Sequence, residues 1–294
     1  MKIKIRLLLF SLFTICLVYF SEAKNGKNHE YRLDKVFPIA ADGTLNLKTD
    51  DADIRIIGSS RKDVHLRVFR SVTIKGVFSS DEEDFKIDVE EMGGDLIIRE
   101  LKRSRSRGLM IYSDITYKIT IEVPNTVSLK LRGDDDDYDI RNVHGFVKID
   151  VEDGDVILDN CQGNKFDINI EDGDVEMSDA KGSLWISLDD GDLIARNCQF
   201  KEVDIRANDG DIKLETSLVT DGGYNLKTDD GNINLKIRGG GGEFEIRHDD
   251  GRVRASSDFE MAYSGDTRHQ FRLAGGKAKV FLRTNDGSVH LNTY

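Results

Sequence analysis

Proline and cysteine are scarce in this chain of 294 residues, with 2 prolines and 3 cysteines against 27 glycines. A linker-rich or disordered chain would carry more proline, so the composition predicts a folded protein. The catalytic signatures are missing as well. The six histidines show no His-x-x-x-His or Cys/His spacing, and no Gly-x-Ser-x-Gly elbow occurs. Because these motifs are absent, the sequence contains no catalytic signature of these kinds.

Positive charge is also in short supply, with 42 Lys and Arg against 54 Asp and Glu and a formal net charge of −12. Nucleic-acid binding needs a basic face, so nucleic acid is excluded as a partner. The one basic cluster spans Arg99–Arg107. It is either a peripheral contact for an anionic surface or a solvated insertion loop.

No apolar stretch reaches the roughly 20 residues that cross a bilayer. The longest candidate, Leu7 to Phe20, follows a basic start and precedes a small-x-small site at Ser21-Glu22-Ala23. We therefore predict a signal peptide at 1–23 and an exported mature chain without a transmembrane helix. The mature chain would be periplasmic, on the cell surface or secreted. A retained N-terminal anchor is the alternative.

One acidic turn recurs seven times, in forms such as VEDGDVIL, IEDGDVEM and LDDGDLIA. Its glycines are separated by 19, 18, 19, 21, 20 and 36 residues, and they are Gly154, Gly173, Gly191, Gly210, Gly231, Gly251 and Gly287. A fixed period near 19 is typical of a solenoid, in which each unit buries its apolar face by stacking on its neighbours.

Apolar residues stand seven and five positions before each glycine and two and four positions after it, as in Phe166, Ile168, Val175 and Met177 around Gly173. This alternation predicts two strands per unit, each with one face inward. Asp-Gly between strands also favours hairpins, so an antiparallel meander is the alternative. A meander gives no reason for the same residue types to recur at the same offset, so we expect an all-β, single-domain β-solenoid of about ten coils with Asp-Gly corners.

Weaker copies of the pattern extend upstream. Leu45, Leu47, Ile54 and Ile56 flank one copy, and Ile87, Val89, Leu96 and Ile98 surround another at Gly94. Arg99–Gly108 and Gly133–Tyr138 are predicted to be insertions. The resulting organisation is a signal peptide at 1–23, a lead-in at 24–40 and one solenoid domain at 41–294, with irregular coils at 41–145 and regular ones at 146–294.

The corner contains three polar columns. Aspartate always precedes the glycine, and it is predicted to accept hydrogen bonds from the backbone of its own turn. Aspartate follows the glycine in four successive units, which turn chemistry alone does not explain.

Residues 134–192 hold 19 acidic and 4 basic side chains. Either this ridge is solvated, or calcium, which takes about six to eight oxygens, binds between the turns. The candidate calcium ligands are Asp153, Asp155, Asp172, Asp174, Asp190, Asp192, Asp209 and Asp211. No cofactor is required by the pattern.

Two cysteines remain after the predicted cleavage, Cys161 and Cys198, and both occupy the position seven residues after a glycine. They belong to units two apart, about 9.6 Å by strand spacing. The Cα atoms of a disulfide rarely exceed about 7 Å, so both cysteines are predicted to be free, buried and inert.

The repeated Asp-Gly-Asp turns after an export signal resemble the putative adhesin family, a group of exported bacterial β-strand-repeat domains of unknown function. The resemblance covers about Leu45 to Leu291. It implies an exported β-solenoid at the cell envelope or surface, and it transfers no catalytic residues.

Two features break the repeat. Phe259 to Leu273 is out of register and reads as an irregular coil or a protruding hairpin that covers the open end of the solenoid. Trp185 lies on the outward phase of its strand, either as a contact for a sugar or protein or as a packing residue.

Two functions are compatible with the sequence. The first is a non-enzymatic scaffold of the adhesin type that binds an envelope, surface or extracellular protein or glycan. The second is a calcium-binding repeat protein, or a polysaccharide-acting β-helix enzyme that uses the corner carboxylates. The regularity of the acidic positions favours the scaffold, because an active site usually interrupts a repeat at one place.

Overall fold

A computed structural model of the protein describes residues 27–75, 84–103 and 112–294. These residues form strands and connecting turns, without a helix, so the all-β prediction is confirmed. The predicted signal peptide at 1–23 lies outside the described residues. The predicted lead-in at 24–40 contributes the first strand.

The twenty-four strands are, in chain order, β1 Lys27–Pro38, β2 Thr44–Lys48, β3 Asp53–Ser59, β4 Asp63–Lys75, β5 Asp84–Met92, β6 Asp95–Arg103, β7 Tyr112–Pro124, β8 Ser128–Asp135, β9 Asp137–Arg141, β10 Val147–Asp153, β11 Val156–Asp159, β12 Phe166–Asp172, β13 Val175–Ser178, β14 Lys181–Asp190, β15 Leu193–Asp209, β16 Ile212–Ser217, β17 Gly223–Asp230, β18 Ile233–Gly239, β19 Gly242–Asp250, β20 Val253–Ala255, β21 Phe259–Ser264, β22 Arg268–Leu273, β23 Ala278–Asp286 and β24 Val289–Thr293.

The strands stack into two sheets that face each other across the core. The front sheet, whose strands lead into the corners, has the order β5, β6, β2, β8, β10, β12, β14, β15, β17, β23, β19, β22 and β21. The back sheet, whose strands leave the corners, has the order β1, β4, β7, β3, β9, β11, β13, β15, β16, β18, β24 and β20. Strand β15 is long enough to run in both sheets.

Parallel pairing runs through the middle of both sheets, in register for example at Ile149 beside Ile168 and Ile168 beside Ile186, with local register shifts where β15 pairs with β14 and β16 and where β16 pairs with β18. This is the arrangement of a solenoid and not of a meander. One coil is therefore a front strand, its corner and a back strand. Equivalent residues of successive coils form a line along the stack, which we call a file. Neighbours within one file are about 4.8 Å apart.

The core lies between the sheets and is built from the predicted apolar columns. The residues at the four apolar offsets are buried in every coil except that of β19 and β20, which ends the parallel stack. In that coil Val253 and Ala255 are half-buried. Phe166 and Phe200 are fully buried and meet edge to face, with ring centroids 6.4 Å apart. Burying each such side chain contributes about 1.5–3 kcal/mol, which explains why the alternation is so regular.

The predicted coil around Gly94 is wrong. Strands β5 and β6 pair antiparallel within the front sheet, with Met92 opposite Asp95. Gly93 and Gly94 have φ of 63° and 96°, and two successive positive φ values make a tight hairpin turn that folds the chain back on itself. The hairpin covers the first end of the front sheet.

The predicted insertion at Gly133–Tyr138 is also wrong. Strands β8 and β9 pair in register with the following coil, Asp135 beside Asp153 and Tyr138 beside Val156. Asp136 thus stands where the later coils have glycine. The repeat is hidden in the sequence because this corner lacks the glycine that marks the others.

Chain order and spatial order differ at the C-terminal end. The coil of β23 and β24 lies between the coil of β17 and β18 and the coil of β19 and β20. The predicted end cover is confirmed as a hairpin, since β21 and β22 pair antiparallel and β22 lies against β19. Phe259 of this hairpin packs edge to face on Phe244, with centroids 5.2 Å apart, and closes the core.

Candidate functional site: the acidic corner

Each corner glycine lies directly against the backbone of the preceding coil. A Cβ added at Gly173 would lie 2.2 Å from the carbonyl oxygen of Gly154, and the φ of Gly173 is 145°. Both the positive φ and the close approach require glycine. The N–H of Gly173 donates to the carbonyl of Asp190 in the following coil across 3.0 Å. The corner backbone is therefore bonded continuously along the stack.

The residue after the glycine carries the side-chain ladder of the corner. Its oxygen accepts a hydrogen bond from the backbone N–H of the equivalent residue in the next coil. The acceptors are Asp137, Asp155, Asp174, Asp192, Asp211 and Asn232, and the distances run from 2.8 to 3.0 Å. We call these six residues the corner ladder. A recurring acceptor at this position explains why it holds aspartate in four successive units and then asparagine.

The aspartate before the glycine has a different environment. In the described chain its carboxylate receives no hydrogen bond from the backbone of its own turn, contrary to the sequence prediction. These side chains are exposed and stand beside one another from coil to coil, as with Asp153, Asp172 and Asp190. Partial desolvation and the neighbouring carboxylates of Asp172 and Asp135 raise the pKa of Asp153.

The predicted calcium ligands thus divide into two files. Asp155, Asp174, Asp192 and Asp211 belong to the corner ladder, whereas Asp153, Asp172, Asp190 and Asp209 form the exposed file. Among residues 27–75, 84–103 and 112–294, no three His, Cys, Asp or Glu side chains are arranged to hold a metal ion. Calcium binding at this ridge stays a prediction.

A lysine occupies one of the spaces between ladder carboxylates. The Nζ of Lys213 lies 3.3 Å from Asp192 and 3.2 Å from Asp211. Partial burial acts to raise the pKa of Asp211, but the hydrogen bonds from Asn232 and Lys213 together with the Lys213 charge outweigh it and lower the pKa. The protein therefore supplies its own cation between the last two aspartates of the corner ladder.

Asp136, which stands where the following corners have glycine, is fully buried. Its carboxylate accepts hydrogen bonds from the backbone of Ala52 (2.7 Å), the hydroxyl of Tyr138 (3.2 Å) and the hydroxyl of Thr49. Burial raises the pKa of Asp136 to about 7, and the three hydrogen bonds oppose this rise. Sequence reasoning missed this residue because it looked like part of an acidic run, Asp134–Asp137.

An open cleft of about 480 Å³ lies beside this corner, between β3, β7 and the first two acidic turns. Its lining includes the carboxylates of Asp51, Asp135 and Asp153 together with Lys118. Lys118 lies 3.6 Å from Asp53, which also lines the cleft. The cleft therefore belongs to the same acidic ridge, at its N-terminal end.

Cys161 and Cys198 are free and buried, as predicted, and burial raises the pKa of their thiols to about 11 and about 12.

Trp185 is half-buried on the outer front face, with the Nζ of Lys165 lying 4.5 Å from its ring centroid. Arg99 pairs with Glu90 at 3.3 Å, whereas residues 104–107 of the basic cluster lie outside the described residues.

A histidine pair joins the end hairpin to β19, the last parallel strand of the front sheet. The Nε2 atoms of His248 and His269 are 3.1 Å apart, whereas the ring centroids are 5.2 Å apart. Because the nitrogens are much closer than the ring centres, the rings point at each other through a hydrogen bond and do not overlap face to face. His248 is buried, in agreement with its inward position in the repeat.

Comparison with known proteins defines the class of this fold. The sequence matches the Toastrack DUF4097 family over residues 43–292, so the chain belongs to that family. The resemblance to adhesin-like proteins of unknown function is thereby confirmed. No curated protein matches the chain.

Several solved structures are similar to this chain at a low level. A putative adhesin from Bacteroides fragilis NCTC 9343 is 14% identical, with a TM-score of 0.48 and coverage of 91% of this chain and 97% of that one. A putative adhesin from Parabacteroides merdae ATCC 43184 is 12% identical, with a TM-score of 0.41 and coverage of 91% and 96%. A putative lipid binding protein from Parabacteroides distasonis ATCC 8503 is 14% identical, with a TM-score of 0.36 and coverage of 91% and 97%. These similarities are too low to transfer a function.

Within the part of the chain that the structure describes, no helix has the length and apolar character needed to cross a membrane.

Proposed function

We propose that the protein is an exported, non-enzymatic scaffold of the adhesin type, acting at the cell envelope or surface. It would consist of about ten coils of roughly 19 residues with Asp-Gly corners, and it would bind its partner through the outer face of the front sheet. Membership of the Toastrack family and the leader-like residues 1–23 support this proposal.

The observation that carries the proposal is the parallel stacking of the front strands from β8 to β19. Equivalent outward side chains of successive coils are direct neighbours, as with Asp167, Trp185 and Asp204. The result is a surface on which equivalent side chains repeat about every 4.8 Å. Such a surface suits an extended partner that contacts many coils, and a partner of this kind can bind firmly through many individually weak contacts.

Residues 24–294 can be tested on immobilised cell-envelope material by biolayer interferometry. The proposal predicts saturable binding that is weakened at least threefold by Trp185→Ser on the front face. The matched control is Ile157→Ser, which removes an apolar side chain that is 40% exposed on the outer back face. Absence of saturable binding, or equal losses from both substitutions, would contradict a front-face scaffold.

Calcium binding at the exposed aspartate file is the second candidate. It is favoured by one observation: the carboxylates of the exposed file stand beside one another from coil to coil, as in Asp153, Asp172 and Asp190, and a divalent cation would relieve their repulsion. In this case the file of Asp153, Asp172, Asp190 and Asp209 would supply the ligands. The corner ladder would contribute less, because one oxygen of each ladder residue already accepts a backbone hydrogen bond.

A further inference from the structure

Five cations stand side by side on the outer front face, one on each of five neighbouring strands. The strands β15, β17, β23, β19 and β22 bring together Arg206, Lys227, Arg283, Arg247 and Arg268, each directly opposite the next. We call these five residues the basic file. At about 4.8 Å per strand it is roughly 19 Å long. Sequence reasoning missed it because its members are dispersed over 63 residues of an acidic chain.

The basic file is unfavourable for the isolated protein. Like charges directly opposite one another on neighbouring strands destabilise a sheet. The same column is neutralised further along the stack, where Arg132 pairs with Asp150 at 2.8 Å and the next coils carry Asn169 and Ser187. The fold therefore accepts neutral side chains at this position. We expect the row of cations to be balanced by negative charge from a molecule that binds to the protein.

Two adjacent members of the file, Lys227 and Arg283, lack a carboxylate partner. Arg206 contacts Asp204 at 3.0 Å, whereas Arg247 and Arg268 contact Glu245 at 2.7 and 3.1 Å. Among the described residues, no carboxylate lies within ion-pair distance of Lys227 or Arg283, and the Arg283 guanidinium donates only to the amide oxygen of Asn285, across 3.1 Å. This part of the file is thus open to an external anion.

An aromatic ring lies beside the basic file. Phe281 projects outward from β23, and its ring centroid is 5.7 Å from the Nζ of Lys227 and 5.6 Å from the guanidinium carbon of Arg247. Its half-exposed ring offers an apolar surface next to the charges. An apolar face beside a line of cations matches a sugar ring that carries an acidic group.

The width of the file favours a linear polymer over a planar anionic surface. Outward acidic residues flank it on both sides, with Asp204 and Glu245 in one neighbouring column and Asp229 and Asp249 in the other. A lipid surface would meet these carboxylates, whereas a single chain can follow the file between them. We propose that the basic file and Phe281 form a binding site for a linear acidic polysaccharide that lies across the strands.

This inference names the partner class of the proposed scaffold and rests on that function. It is tested with residues 24–294 and three probes: polygalacturonate, neutral dextran of matched length, and vesicles of anionic phospholipid. The double variant Lys227→Glu/Arg283→Glu should weaken polygalacturonate binding at least tenfold. The control Lys130→Glu/Lys148→Glu changes the net charge equally on the same face, at two adjacent exposed lysines, and should change binding less than threefold.

Two further measurements distinguish binding at this site from non-specific electrostatic attraction. Added salt should weaken binding of the unchanged protein, since the contacts are exposed ion pairs. Phe281→Ser should lower affinity while leaving the salt dependence unchanged. Circular dichroism establishes that each variant is folded, and the conservative pair Lys227→Gln/Arg283→Gln substitutes for the charge reversal if that variant unfolds.

Several outcomes would overturn the inference: equal losses from the two double variants, binding of dextran as tight as that of polygalacturonate, binding to vesicles alone, or no polygalacturonate binding. Charge-dependent self-association in sedimentation, without polysaccharide binding, would assign the file to a second copy of the chain. If envelope binding persists in Lys227→Glu/Arg283→Glu while polygalacturonate is not bound, the scaffold proposal survives and only this inference fails.

Discussion

The carboxylate of Asp155 accepts a hydrogen bond from the backbone N–H of Asp174, one coil further along the stack, across 2.9 Å. The same contact recurs along the corner ladder up to Asn232 and Ser288. Amides at the corners would otherwise point to solvent or remain unpaired at a sharp change of chain direction. The repeated acid after the glycine is therefore explained by a bond between coils, independently of any ligand.

Replacement of a corner glycine should be among the most damaging single changes. In Gly173→Ala the new Cβ would lie 2.2 Å from the carbonyl oxygen of Gly154, and φ is 145°. We expect the free energy of unfolding to fall by about 3 kcal/mol or more. Urea denaturation measures this loss. The control is Gly223→Ala, where a Cβ would meet no atom within 4 Å, and it should change stability by less than about 1 kcal/mol.

Asp136 should make the protein less stable as the pH rises towards neutrality. Its pKa is raised from 3.8 to about 7, so the folded state binds a proton that the unfolded state has already released in this range. The stabilisation is complete below the unfolded pKa and is lost as the pH rises through the folded value. From this group we expect a loss on the order of 3 kcal/mol between pH 5 and pH 8.

Asp136→Asn should remove that dependence, because the amide keeps an acceptor oxygen and cannot ionise. Urea denaturation at pH 5 and pH 8 provides the comparison, with Asp135→Asn at the exposed neighbouring position as the control. If the unfolding free energy of the unchanged protein rose between these pH values, or if Asp136→Asn retained the full dependence, Asp136 would not be a buried carboxyl of raised pKa.

The end hairpin should loosen in acid. Desolvation and the neighbouring His248 lower the pKa of His269, so the unfolded state takes up a proton first. The stabilisation is present above about pH 6.5 and is lost as the pH falls below it. Hydrogen exchange of the β22 amides should accelerate below pH 6, after correction for intrinsic rates. In His269→Gln this acceleration should disappear, whereas the amides of β12, in the middle of the stack, should remain protected in both proteins.

The solenoid was predictable because its periodicity is written in side chains that the core must bury. Phe166, Ile168, Val175 and Met177 fix the faces of two strands, and Gly173 fixes the corner between them. The stacking order of the last two coils was not predictable. The coils beginning at Phe244 and Val280 carry the same pattern, so exchanging their places in the stack changes no burial that the sequence reveals.

The candidate site was predictable by residue type and not by role. The sequence places Asp172 and Asp174 on either side of Gly173, but a list of residues does not say which carboxylate reaches a backbone amide one coil away. Asp136 was hidden for a related reason, since its burial depends on Thr49 and Ala52, more than 80 residues earlier. Contacts between coils are long-range in sequence, and a local pattern does not contain them.

The most direct test of the corner ladder compares Asp174→Asn with Asp174→Ala, each unfolded by urea in EDTA and in millimolar calcium. Asparagine keeps the acceptor and is the residue found naturally at position 232 of the ladder. We predict that Asp174→Asn stays within about 0.5 kcal/mol of the unchanged protein, whereas Asp174→Ala loses about 1–3 kcal/mol by leaving an amide unpaired. Both results should be the same with and without calcium. If asparagine were as damaging as alanine, and only in the presence of calcium, then Asp174 would be a metal ligand and the ladder would not explain the repeated acid.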